Sequence, residues 1–150
     1  MVPNELTDSN DLNKYIQGQP QAVDLPNDVL AGEALAYLDA LEWSATDNAV
    51  RKSTGARGSK YIGAMMAGGG VALGDLVPIA RGFCHKMTVA AGTTTLAQGD
   101  KVKATTSTTC ELVSPVAGSY IYQSNIYGQS MEAGAAGAEV WIFVEPEINQ

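Results

Sequence analysis

Five glycines fall within YIGAMMAGGGVALGDLVPIA, residues 61–80, and such a run can either cradle a phosphate or turn a chain. A phosphate loop needs a strand, backbone N–H groups facing the anion, and then a helix whose positive end completes the site. Gly69 and Gly74 have the Walker A separation, but Asp75 follows where that motif places its lysine, and a carboxylate there repels phosphate. Gly68 and Gly70 begin a dinucleotide fingerprint, yet the third glycine comes one residue late and DLVPIA continues as a strand with a proline. The run is therefore read as a turn between strands, and no cofactor is expected.

The other groups capable of chemistry are sparse. Cys84, His85 and Cys110 supply three potential metal ligands, none at the paired spacing of a tetrahedral site, so no metal is expected. Two cysteines are too few for a disulfide framework and read as free thiols. His85 is the single histidine, which leaves little acid–base capacity near neutral pH. A Cys84/His85 nucleophile pair is disfavoured because neighbours on a strand point to opposite faces. Gly74-Asp75 and Gly99-Asp100 each precede a strand. They read as turns in which the aspartate bonds nearby backbone N–H groups, the alternative being a pair of catalytic carboxylates. With no site assembled around these groups the chain reads as a non-enzyme, and a small hydrolase built on Cys84, His85 and the Gly-Asp turns is the minor alternative.

Charge is unevenly spread. Residues 1–47 hold nine acidic side chains and one basic, for a net of −8, and the other 103 residues hold eight basic and seven acidic, for +1. Four of the basic residues, Arg51, Lys52, Arg57 and Lys60, fall within RKSTGARGSK, residues 51–60. This reads first as a solvated loop and second as an attachment point for an acidic surface. The net charge of −7 disfavours nucleic acid as a partner. No apolar run approaches the roughly 20 residues of a membrane span, so no membrane partner is expected. The N-terminus has neither a basic n-region nor an apolar h-region, which points to synthesis in a cytoplasm.

The elements that must position these residues are short strands. A chain of 150 residues suits one domain, here divided into an extended N-terminal arm, 1–27, and a β-domain, 28–150. The arm is polar, contains Pro3, Pro20 and Pro26, and offers only Tyr15, Ile16, Val23 and Leu25 as apolar anchors. It is expected to lack order unless something holds it. The segment PNDVLAGEALAYLDALEW admits a helix capped by Asp28 or an extended course, and Gly32 favours the latter. From about residue 40 the candidates are DALEWS, NAVRKST, KYIGAMM, DLVPIARGFC, KMTVAA, DKVKATT, CELVSP, SYIYQSNIYGQSM and EVWIFVEP. Fourteen of the sixteen glycines lie between 55 and 137, where they separate or bend these segments. The expected fold is all-β, a small sandwich or barrel of about eight or nine short strands.

An internal echo supports that fold. YIGAMMAGGGVALGDLVPI, residues 61–79, aligns with IYGQSMEAGAAGAEVWIFV, residues 126–144, so that Gly63 meets Gly128, Met66 meets Met131 and Gly69 meets Gly134. AGGGVALGDLV likewise echoes AGTTTLAQGDKV.

The order LAGEALAYLDAL, NAVRKST, YIGAMMAGGGVALGDLVPIARG, LAQGDKVKAT and IYGQSMEAGAAGAEVWIFV, over about residues 29–145, resembles the tailed-phage capsid decoration (cement) proteins of the DUF2190 type. The resemblance implies a structural virion protein, made in the host cytoplasm and placed on the outer capsid surface. It implies a symmetric homo-oligomer, commonly a trimer, that clamps neighbouring major capsid protein subunits and stabilises an icosahedral head. In that setting Tyr15, Ile16, Val23 and Leu25 of the arm and Arg51, Lys52, Arg57 and Lys60 are the expected contacts to capsid or to a neighbouring copy. The runner-up is a receptor- or glycan-binding module using Trp43, Tyr120, Tyr122, Tyr127 and Trp141. Alternation in SYIYQSNIY and VWIFV instead directs many of these rings into a core or a subunit contact.

Overall fold

The computed structural model describes residues 15–147 except 26, 47, 116, 119–121 and 123. Its named elements are all strands: β1 (Ile16–Gln17), β2 (Gln21–Ala22), β3 (Leu30–Ala31), β4 (Ala40–Trp43), β5 (Ala49–Lys52) and β6 (Tyr61–Met65), then β7 (Ile79–Arg81), β8 (Cys84–Val89), β9 (Lys101–Ala104), β10 (Thr109–Leu112), β11 (Ile126–Ser130) and β12 (Glu139–Glu147). They form two six-stranded sheets, one ordered β2-β7-β6-β4-β5-β3 and the other β1-β8-β10-β9-β11-β12. The second closes on itself where β12 pairs with β8, giving a five-stranded barrel with β1 added alongside.

All nine expected strand segments contain strand, and DLVPIARGFC proves to be two. Gly82, with φ of 77°, turns the chain between β7 and β8. The ambiguous segment before residue 44 is extended, as β3, a turn and β4. Within the expected arm, β1 pairs antiparallel with β8 and β2 with β7, so residues 15–25 run along the chain's own body.

The echo reaches much further than residues 61–79 and 126–144. Each sheet repeats one plan: a parallel pair (β3 with β5, β8 with β10), then antiparallel β4–β5, β4–β6 and β6–β7, matched by β9–β10, β9–β11 and β11–β12. The registers coincide at the matched pairs away from the shifts in β4–β6 and β11–β12. Leu30 faces Ala49 as Thr88 faces Thr109, Glu42 faces Arg51 as Lys103 faces Glu111, and Met65 faces Ile79 as Ser130 faces Ile142. Even the barrel closure has its counterpart, because the bridge Leu30–Leu76 occupies the place of Thr88–Glu139. The molecule is thus a tandem pair of one β-barrel unit, the first curled and joined by a short seam, the second fully closed.

The pairing shifts register beside each central glycine, with the extra residue on β6 where it faces β4 and on β12 where it faces β11. A Cβ on Gly63 or Gly128 would collide with the carbonyl of Ala80 or Phe143 on the next strand, which is why both positions lack a side chain. One alignment in the sequence is displaced. Leu35 bridges Val71 as Leu96 bridges Gly134, so Val71, not Gly69, is the counterpart of Gly134. The connection after β6 is two residues longer than that after β11, and the echo slips there.

Alternation along β12 buries Val140, Ile142 and Val144 in the second barrel, with Phe83, Met87, Val102 and Tyr127 around them. Ala40, Tyr61, Ala64 and Ala80 of the first unit join this cluster, while Leu41, Val50, Ile62, Met65 and Ile79 make a separate core inside the first unit. The small side chains of Ala64 and Ala80 let β6 and β7 approach the second barrel closely.

Candidate functional site

The residues singled out for chemistry are spent on architecture. His85 is buried, with Nε2 2.8 Å from the Tyr127 hydroxyl and Nδ1 3.2 Å from the Lys86 carbonyl. A carbonyl only accepts, so Nδ1 carries the proton and Nε2 accepts from Tyr127. Burial lowers the imidazole to about 4 and pushes the Tyr127 phenol well above its ordinary value, so both groups are neutral. Cys84 lies half-buried beside His85, with its thiol raised by burial. Cys110 sits in the shared core, where burial and then Glu111 push its thiol up to about 12. Among the described residues no three His, Cys, Asp or Glu side chains are grouped to hold a metal ion.

The Gly-Asp pairs form turns, and there are four such turns rather than two. Residues 36–39, 72–75, 97–100 and 135–138 each begin with alanine and close with a backbone bond from the fourth residue to the first, at 3.1, 3.1, 3.1 and 3.0 Å. In each the third residue has positive φ: Leu38 at 67°, Gly74 at 86°, Gly99 at 93° and Gly137 at 87°. That is the requirement of a type II turn. Asp39, Asp75 and Asp100 each accept the alanine N–H on Oδ2, at 2.7, 3.1 and 2.8 Å. The fourth turn has Ala138 in that place. The turns also pair, because Leu35 and Val71 exchange backbone bonds across the first unit and Leu96 and Gly134 across the second.

The basic stretch divides. Arg51 lies on β5 and its Nε meets Glu42 Oε1 at 2.9 Å, on a carboxylate that also accepts the backbone and hydroxyl of Thr54. At the matched position of the second barrel the charges are exchanged, with Lys103 Nζ 3.0 Å from Glu111 Oε1. Lys52 is partly buried on the same strand as Arg51, and its N–H is donated to Glu33 Oε2. Arg57 and Lys60 are exposed and edge different grooves. One groove, of about 560 Å³, runs from Arg57 to Lys103, Glu111 and Ser124, and the other, of about 620 Å³, holds Trp43, Asn48, Arg51 and Lys60.

The four apolar anchors are not gathered with these cations. Ile16 packs against the shared core, and Val23 and Leu25 against the core of the first unit. Tyr15 is exposed and stacks edge-on against Tyr37 with ring centres 6.5 Å apart. Of the rings considered for sugar stacking, Tyr127 is fully buried, Trp141 carries Lys86 Nζ 5.3 Å above it, Trp43 lines its groove, and Tyr122 is partly buried. Tyr120 lies outside the described residues. No described helix is long and apolar enough to cross a membrane.

No family model matches the sequence, and no curated protein matches it. The resemblance to capsid decoration proteins therefore has no family match behind it. Among solved structures the chain is similar to the N base of the head fibre gp8.5 of bacteriophage phi29, with a TM-score of 0.47 and 14% identity over 88% of this chain and 99% of that one. A likeness of that extent does not reach function.

Proposed function

We propose that the protein is a structural component of a phage virion that decorates the outside of an icosahedral head and stabilises it by clamping neighbouring major capsid subunits, acting as a homotrimer. The observation that carries this reading is the use the fold makes of its reactive groups. His85 holds Tyr127, Cys110 fills a core, and Asp39, Asp75 and Asp100 cap turns. Those described groups are engaged within the fold, and the paired β-barrel offers a surface that many weak contacts can hold to a lattice. The partner in this reading is the one implied by the resemblance of the sequence to decoration proteins.

Co-sedimentation with purified heads lacking the protein tests this. Saturable binding that raises the temperature at which heads release their DNA is the expected result. Absence of binding at micromolar protein overturns the reading.

A further inference from the structure

The two barrel units allow an internal comparison at their seams. In the second, Thr88 faces Glu139 across the seam and Ala136 stands in the turn leading into it. At the same three places the first unit has Leu30 facing Leu76, and Leu73 in the turn. All three leucines meet solvent, with exposures of 40% for Leu30, 59% for Leu76 and 71% for Leu73. The second unit closes the same seam with threonine, glutamate and alanine, so the fold itself makes no demand for leucine there. Scattered surface leucines need no explanation, but two facing each other across one seam with a third in the turn leading into it single out this edge of the first unit as a candidate contact.

A groove of about 390 Å³ adjoins the seam, walled by Val23, Leu25, Val29 and Leu76 and edged by Asp24 and Asp28. No described lysine or arginine lines it. An apolar floor with a carboxylate rim matches an apolar side chain flanked by cations. Residues 1–14 do not fit this description, since they carry Glu5, Asp8 and Asp11 against Lys14. A second copy docked seam to seam would bring the Asp24 and Asp28 carboxylates of both chains together.

We propose that the Leu30/Leu73/Leu76 seam and its acid-edged groove are a docking surface for another protein that presents an apolar side chain flanked by lysine or arginine. On the function proposed above, on which this inference rests, that protein is the major capsid subunit. The attachment face is then the seam of the first unit, with the 51–60 stretch in a secondary place.

The test uses heads lacking the protein and three forms of the full chain: wild type, the variant Leu30→Thr/Leu73→Ala/Leu76→Glu, and Asp24→Asn/Asp28→Asn. The first variant installs the second unit's own residues, so its circular dichroism and melting temperature should stay near wild type. Its affinity for heads should fall at least about tenfold. The second variant should bind with a weaker dependence on salt than wild type. Should the triple variant unfold, Leu73→Ala alone, at the most exposed of the three sites, is expected to weaken binding about threefold. Wild-type binding with an unaffected, folded variant overturns the docking surface while leaving decoration intact. A variant whose mass by light scattering falls along with its binding makes the seam a contact between copies, which also overturns the proposal. No binding by wild type removes the decoration reading and this inference with it.

Discussion

Lowering the pH should weaken the fold through one residue. His85 is the single histidine and is 1% exposed, and its imidazole is held at about 4 against 6.5 for the unfolded chain. Between those values the unfolded chain takes up a proton that the folded one refuses. The stability contributed by the neutral ring is therefore fully present above pH 6.5 and is lost as the pH falls through 4. At 1.36 kcal/mol per pH unit the whole loss is about 3 kcal/mol, of which about 2 kcal/mol falls between pH 7 and pH 5. Ordinary carboxylates titrate mostly below that interval, so the slope there belongs to His85. Urea unfolding at a series of pH values should show it, with the midpoint falling from pH 7 to pH 5 at nearly constant m-value. His85→Gln keeps an acceptor for the Tyr127 hydroxyl but cannot titrate, so it should lower stability at pH 7 and flatten the slope. Equal slopes in wild type and variant, or an imidazole that titrates near 6.5 in the folded protein, would refute the reasoning.

The paired units supply further predictions. Asp75→Ala and Asp100→Ala should each cost only about 0.5–1 kcal/mol in thermal unfolding, because the turn at 135–138 forms with Ala138 in the same place. Loss of head binding without loss of stability would give those carboxylates another role. Glu42→Gln, at a carboxylate 1% exposed, should cost about 2 kcal/mol, and Glu111→Gln, at the matched pair exposed by 21% and 28%, under about 1 kcal/mol. Equal losses by denaturant titration would contradict the difference in burial. Gly128→Ala drives a methyl into the Phe143 carbonyl and should cost more than about 3 kcal/mol or prevent folding, whereas Gly69→Ala meets open space and should be nearly neutral.

Strand segmentation was legible in the sequence because its causes are local. Turn residues at 99–100 mark the start of β9 and those at 74–75 the bridge at Leu76 that precedes β7, and alternation in VWIFV reports which residues of β12 are buried. The echo of Gly63 with Gly128 was visible because the close approach of a neighbouring carbonyl excludes every side chain at that place in both units. The remainder of the repeat was hidden, since matched positions share geometry and not chemistry. Leu30 answers to Thr88 and Glu42 to Lys103, and connections of unequal length shift the alignment from strand to strand. The turn at 36–39 escaped notice because Leu38 takes the positive φ that glycine takes in the other three.

Only the tertiary structure decided the course of residues 15–25. Composition said that they could not bury enough apolar surface to order themselves, and the free edges of β7 and β8 supply the backbone partners they lack. Exposure was decided in the same way. Leu30 and Leu41 belong to the same apolar residue type, yet one faces solvent on a seam and the other is fully buried. Hydrophobicity is a property of the residue, whereas burial is fixed by which strand lies across from it, and that partner is chosen by sheet closure over tens of residues.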